Sequence, residues 1–253
     1  MKPKIAVHKF TSCDGCQLAF LNLGNDLLKL TDAVDIVHFA ELGMVNPNAK
    51  VDIAFIEGSI STPHDLERIK YIRANATFLI TIGACATAGG IQALRNFANA
   101  EEWVASIYPH PATISYLATS TPISDHVVVD LELWGCPVSG EQILTAIKTL
   151  LLQVKPAVKR DSVCLECKRN GNICVMVTKN IPCMGPVTQT GCGALCPSIG
   201  RDCYGCYGPA ENPNTDSLTK QFLYQGQTST AIQRRFLFIN NHAPAFLKAG
   251  KKE

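Results

Sequence analysis

Long apolar runs are missing from this 253-residue chain: no stretch approaches the roughly 20 apolar residues of a membrane span. Charge is sparse too, at 17% of residues and a formal net of +2, which excludes a nucleic-acid binder working through a broad basic patch. No G-x-G-x-x-G or Walker pattern follows the first strand-like run, so no nucleotide site is expected there. The start, MKPKIAVHKF, has no twin arginine and no charged region leading into a long apolar one; a cytoplasmic protein is the expectation. The six histidines form no ligand-like pair. The tight C-x2-C-x2-C-x3-C-P run of bacterial ferredoxins is absent as well.

Cysteine is what the chain has in quantity, twelve residues in all. Structural disulfides are rare in a reducing compartment, so metal is the better expectation. Eight of the twelve lie between Cys164 and Cys206, spaced C-x2-C-x6-C-x8-C-x8-C-x3-C-x6-C-x2-C among glycines and prolines. No helical or alternating apolar pattern in that stretch could bury a core unaided. Inorganic clusters would then serve as its core, and the segment is expected to be disordered without iron.

The first 155 residues read differently. Strand-like runs at Ile5–Phe10, Asp35–Ala40, Val51–Ile60, Thr77–Gly83 and His126–Trp134 alternate with helical stretches at Gln17–Leu30, Thr62–Asn75, from about Gly89, and Val138–Val154. Leu18, Leu21, Leu27, Leu28 and Leu30 supply an apolar face for the first helix. Glu101–Thr121 matches no pattern. Such alternation implies βαβ units, a mostly parallel sheet and an α/β fold. Cys13, Cys16, Cys85 and Cys136 all fall just past the carboxyl ends of these strands, the edge where open α/β sheets bind ligands. Neighbouring glycines, Gly15, Gly83, Gly89, Gly90 and Gly135, would let the backbone approach a bulky inorganic group. Taken singly, Cys85 and Cys136 are ordinary buried thiols; together with a CxxC on one sheet edge they point to a ligand set.

Four thiolates hold one cubane cluster, so twelve fit three clusters with no remainder. Zinc is the rival, but the two CxxC pairs at Cys164/Cys167 and Cys203/Cys206 are too far apart for a usual ribbon. The motifs SCDGCQ, IEGSI at 56–60, GACATAGG at 83–90, GCP at 135–137, PCMGPVTQTGC at 182–192 and CYGC at 203–206 carry a resemblance along most of the chain. In that order they resemble the small, electron-transferring subunit of nickel–iron hydrogenases, most closely the sulfhydrogenase delta subunits of cytoplasmic NADP-linked enzymes.

The resemblance implies a flavodoxin-like domain over 1–155 and a small irregular iron–sulfur domain over 156–253. It implies three [4Fe–4S] clusters: a proximal one on Cys13, Cys16, Cys85 and Cys136, a medial one on Cys192, Cys196, Cys203 and Cys206, and a distal one on Cys164, Cys167, Cys174 and Cys183. A histidine-containing pair completes the distal set in the periplasmic members; Cys164-x-x-Cys167 stands there here. Cys196 offers a fourth medial ligand where many members have three. The nickel–iron site would belong to a large partner subunit, leaving no catalytic residue in this chain, and a flavin- and iron–sulfur-containing diaphorase would take the electrons. Two other readings are a cluster subunit of a quinone reductase and a zinc-stabilised scaffold. Glu57, the one carboxylate in a buried-strand context, suits either a proton-handling or interface role or the capping of backbone groups. Family members often carry Glu after the CxGC pair; Gln17 stands there and cannot titrate. Lys168 and Arg169 beside Cys167 would raise a distal potential or form a solvated turn. A helix is expected near Thr215–Tyr224, in a tail packed on the body or on a partner.

Overall fold

The computed structural model describes residues 2–251. Strands β1 (Lys4–Lys9), β2 (Asp35–Phe39), β3 (Val51–Glu57), β4 (Ala76–Ile82) and β5 (Leu131–Leu133) form one parallel sheet in the order β2-β1-β3-β4-β5. Helices cover both faces, which is why the central strands read as unbroken apolar runs. On one face Val7, Phe55, Ile80 and Ile82 meet α1 (Gly15–Leu21), α2 (Asn25–Ala33) and α6 (Gly140–Leu151) through Phe20, Leu27, Leu30, Ile143 and Ile147. Phe20 sits edge-on to Phe39 and Phe55, at 5.5 and 5.6 Å between ring centroids. On the other face Ala6, Ala54, Ile56 and Leu79 meet Ile69 and Ile72 of α3 (Pro63–Asn75). A capping box starts α3: Thr62 accepts from Asp65 N–H while Asp65 accepts from Thr62 N–H.

Four expectations change. The single helix over Gln17–Leu30 is two, separated at Gly24, whose φ of 56° breaks the helical path. The break changes the phase of the apolar stripe, so Leu27 and Leu30 are buried while Leu18 and Leu28 face solvent. The helix after β4 begins at Gly83 rather than near Gly89, as α4 (Gly83–Ala88), and Gly89 ends it with φ 75°. Cys85 therefore sits inside a helical turn. The unassigned Glu101–Thr121 contains most of α5 (Ala100–Ile107), which Asn99 caps by accepting from Glu101 and Glu102 N–H. The last strand shrinks to three residues. Asp130, ion-paired to Arg73 at 2.5 Å, takes Leu79 N–H on its side chain at 2.8 Å, so regular pairing starts one residue later.

Beyond α6, the short helices α7 (Val163–Arg169), α8 (Val175–Lys179) and α9 (Leu195–Ser198) carry the cysteine-rich segment, followed by α10 (Thr215–Tyr224), α11 (Ser229–Phe236) and α12 (Pro244–Gly250). The helix expected at Thr215–Tyr224 is α10. The segment has an apolar core after all, because the tail supplies it: Phe222, Phe236 and Phe246 pack with Val163, Val175, Met184 and Val187, and with Ala88 and Trp134 of the sheet half. Phe236 and Phe246 lie 5.8 Å apart. Among the described residues no helix is long and apolar enough to cross a membrane.

Two outcomes follow from this packing. Phe236→Ala removes a fully buried ring and should cost about 3–5 kcal/mol in urea unfolding of the full chain. His8, 2% exposed, is held to a pKa of about 3 by burial, with His38 and Arg68 adding to the effect. Its folded pKa lies below the unfolded value, so the stability it contributes is full above pH 6.5 and is lost as pH falls towards 3. In phosphate-free urea titrations between pH 6 and 4, His8→Phe should flatten the pH slope by up to about 1.4 kcal/mol per unit.

Candidate metal centres

All twelve cysteines are free thiols. The sheet edge gathers four. Cys13 lies on the β1–α1 turn, Cys16 in the first turn of α1, Cys85 in α4 after β4, and Cys136 after β5, followed by a cis proline. Burial raises the Cys16 thiol, and neighbouring Glu57, Cys85 and Cys136 add to it. Burial pushes Cys85 up to about 12, with Cys136 and Cys13 contributing. Val138 N–H donates to Cys16 Sγ at 3.5 Å, and Cys85 Sγ donates to Gln92 Oε1 at 3.5 Å.

The same edge shows why glycine stands where it does. Gly83 has φ 83°, and a Cβ there would run into Cys16 Sγ; one on Gly90 would lie 2.6 Å from Cys85 Sγ. These positions form a cradle that any side chain would fill.

The second half gathers the other eight. Cys164, pushed up to about 11 by burial, has Cys183, Cys167 and Cys174 as its next electrostatic neighbours. Cys206, pushed up to about 12 by burial, has Cys192, Cys136 and Cys196. Cys203, raised by burial, stands between the groups, with Cys183 and Cys206 both beside it. Two contacts join the three groups in series. Cys136 neighbours the Cys206 thiol, and Cys203 N–H donates to Cys183 Sγ at 3.2 Å. Glu166 fixes the Cys192 loop by accepting Gly191 N–H at 2.8 Å and Ala194 N–H at 3.2 Å. Cys13, Cys136 and Cys174 are exposed, so both ends of the series reach the surface.

Among the described residues no three Cys, His, Asp or Glu side chains converge on one point where a single ion would sit. Thiols grouped in glycine cradles, with backbone N–H donors aimed at sulfur, fit an all-thiolate cluster.

Glu57 does two things. Its Oε1 accepts Cys16 N–H at 3.0 Å, while Oε2 is buried without a partner, and burial raises its pKa. Gln17 is 1% exposed and donates to Asp14 Oδ1 at 3.2 Å. Lys168 and Arg169 are exposed at the end of α7. Sequence reasoning missed the braces in the tail: Asn240 donates to Gly205 O at 2.7 Å and Asn241 to Gly90 O at 2.9 Å, holding the backbone beside Cys206 and Cys85. The signal was a polar pair closing the apolar FLFIN run. Gln92 was missed as well; its amide also donates to Thr11 O at 2.7 Å.

Comparison with known proteins accords with this arrangement. Residues 13–150 match the family described as NADH ubiquinone oxidoreductase, 20 Kd subunit. Sulfhydrogenase 2 subunit delta of Pyrococcus furiosus is 36% identical over 215 residues, covering 85% of this chain and 90% of that protein. A subunit of the F420-non-reducing hydrogenase vhu of Methanococcus voltae is 28% identical across 100% of this chain and 99% of that protein. Among solved structures, an NAD+-reducing [NiFe]-hydrogenase in the H2-reduced state aligns with a TM-score of 0.57 at 27% identity, over 62% of this chain and 96% of that one. The Ni-Fe-Se hydrogenase of Desulfomicrobium baculatum shares the fold, with a TM-score of 0.56 at 16% identity over 87% of this chain and 98% of that one. The chain belongs to the NADH ubiquinone oxidoreductase, 20 Kd subunit family, and within it is a hydrogenase subunit of the small-subunit type.

Proposed function

We propose that this chain is the electron relay of a cytoplasmic nickel–iron hydrogenase, with a [4Fe–4S] cluster at each of its three cysteine groups. Cys13, Cys16, Cys85 and Cys136 would hold the proximal cluster, Cys192, Cys196, Cys203 and Cys206 the medial one, and Cys164, Cys167, Cys174 and Cys183 the distal one. Each cluster, when bound, supplies a one-electron carrier. The observation that carries the reading is the series itself: Cys136 of one cysteine group neighbours Cys206 of the next, and Cys203 N–H reaches from that group to Cys183 of the third.

The chain's own residues set the conditions. Val138, Cys203 and Gly205 aim N–H dipoles at Cys16, Cys183 and Cys203, stabilising charge on sulfur. Glu57 ties the Cys16 turn to β3 and keeps Oε2 free as a place to hold a proton against a partner. Exposed Cys13 and Cys136 would face the nickel-bearing large subunit, and exposed Cys174 would face a flavin- and iron–sulfur-containing diaphorase, with NADP as acceptor. Residues 1–155 would form the proximal domain and 156–253 the medial and distal one. The quinone reductase reading draws on the family match, but that match ends at residue 150, before the eight-cysteine segment.

In the intact complex, Cys174→Ser should cut acceptor reduction by about tenfold or more while leaving hydrogen–deuterium exchange at the partner's metal site near its original rate. Unchanged acceptor reduction would contradict the relay. Cys196→Ser should convert or remove one EPR signal of the dithionite-reduced chain and lower iron by about one to four atoms; an unaltered spectrum would remove Cys196 from the medial set.

A further inference from the structure

A cavity of about 450 Å³ opens beside β1, β2 and α3, with Gln17 of α1 in its wall and, among the described residues, no cysteine lining it. Its wall includes Lys9, Gln17, His38, Asn48, His64 and Arg68. The relay as described uses none of its cationic side chains. Chain order reverses at β1, since β2 pairs on one side of it and β3 on the other, and open α/β sheets bind ligands at such a point beyond the strands' carboxyl ends.

The charges of this wall are one-sided. Arg68 is half-buried, stacks over Phe10 at 4.3 Å and donates one hydrogen bond, from Nη2 to Lys9 O at 2.6 Å. Among the described residues it forms no ion pair, although a guanidinium has five donors in a fork suited to carboxylate and phosphate. Asp65, the carboxylate on its helix that acts on Arg68, is engaged by Ser61 and Thr62 N–H. Asp14 is engaged by Lys9. His38 is 7% exposed and its Nδ1 has no hydrogen-bond partner; His8, whose ring lies 4.7 Å from that of His38, also has an unpartnered Nδ1. His64 stands in the first turn of the 13-residue α3, where the helix dipole favours negative charge. A half-buried cation without an ion-pair partner and buried ring nitrogens without hydrogen-bond partners are costly.

We propose that this cavity is an anion site, which takes a carboxylate or phosphate group on the Arg68 fork with His38 and His64 as further donors. Two sources share that chemistry: a phosphate ester in solution, or a carboxylate side chain of the large subunit docked on this edge.

Inorganic phosphate is the probe, titrated calorimetrically into the full-length, iron-loaded chain in phosphate-free buffer. Saturable one-to-one binding is expected, weakened about tenfold or more by Arg68→Met. His64→Ala, at an exposed position that leaves the core untouched, should weaken it by a smaller factor, and Lys70→Met, exposed on the same helix but outside the cavity, should leave it unchanged. Repeating the titration in the complete complex separates the sources. Binding that persists there assigns the site to a free anion. Binding that vanishes, with Arg68→Met also loosening subunit association, assigns it to the partner's carboxylate. Absence of saturable binding to the wild-type chain, or equal weakening by Lys70→Met and Arg68→Met, would overturn the proposal.

Discussion

A thiolate removed from water needs positive charge beside it, and nine of this chain's twelve thiols are buried or half-buried. Burial alone raises the thiols of Cys16, Cys85, Cys203 and Cys206 well beyond their ordinary range, and each thiol's neighbours within its group raise it further. In the proposed relay iron would supply the missing charge, because a thiol that coordinates a metal releases its proton to solvent and binds as thiolate. The protein adds dipoles rather than cations: backbone N–H groups of Val138, Cys203 and Gly205 point at sulfur. Most other features serve to keep these donors and thiols in place.

The sheet does that for the first group. Parallel strands end together at one edge, so turns far apart in sequence meet there. Gly83 lets β4 pass directly into α4, bringing Cys85 back towards Cys16, while Ala84 N–H donating to Gly135 O at 2.7 Å locks the β5 turn against it. The second half lacks a sheet and borrows its rigidity from the tail. Three phenylalanines from α10, α11 and α12 pack beneath the cysteine segment, and Asn240 and Asn241 tie the tail to the backbone beside Cys206 and Cys85. Metal and apolar packing would therefore share the task of holding this region.

Much of this was legible in the residues. The parallel sheet followed from apolar runs such as Val51–Glu57, and α3 from a helical stretch starting at Thr62-Pro63. Helix phase was less legible: a single stripe over Leu18–Leu30 ignores Gly24, and one positive φ rotates the second helix against the first. The short β5 was hidden because Asp130, a side chain, takes over a strand's hydrogen bond, which no periodicity records. The division of the eight clustered cysteines into two sets rests on family resemblance, since their spacing alone allows several pairings. The apolar floor beneath the second half was not foreseen, because its phenylalanines lie in the tail, outside the segment they support. Local sequence shows what a segment lacks, and only the fold shows where the remedy comes from.

Metal analysis of the anaerobically purified full-length chain, joined to EPR after dithionite reduction, tests the central claim most directly. The account predicts about twelve iron atoms per chain, negligible zinc, and interacting spin systems from three reduced cubanes. Stoichiometric zinc with little iron, and no cluster signal on reduction, would contradict it.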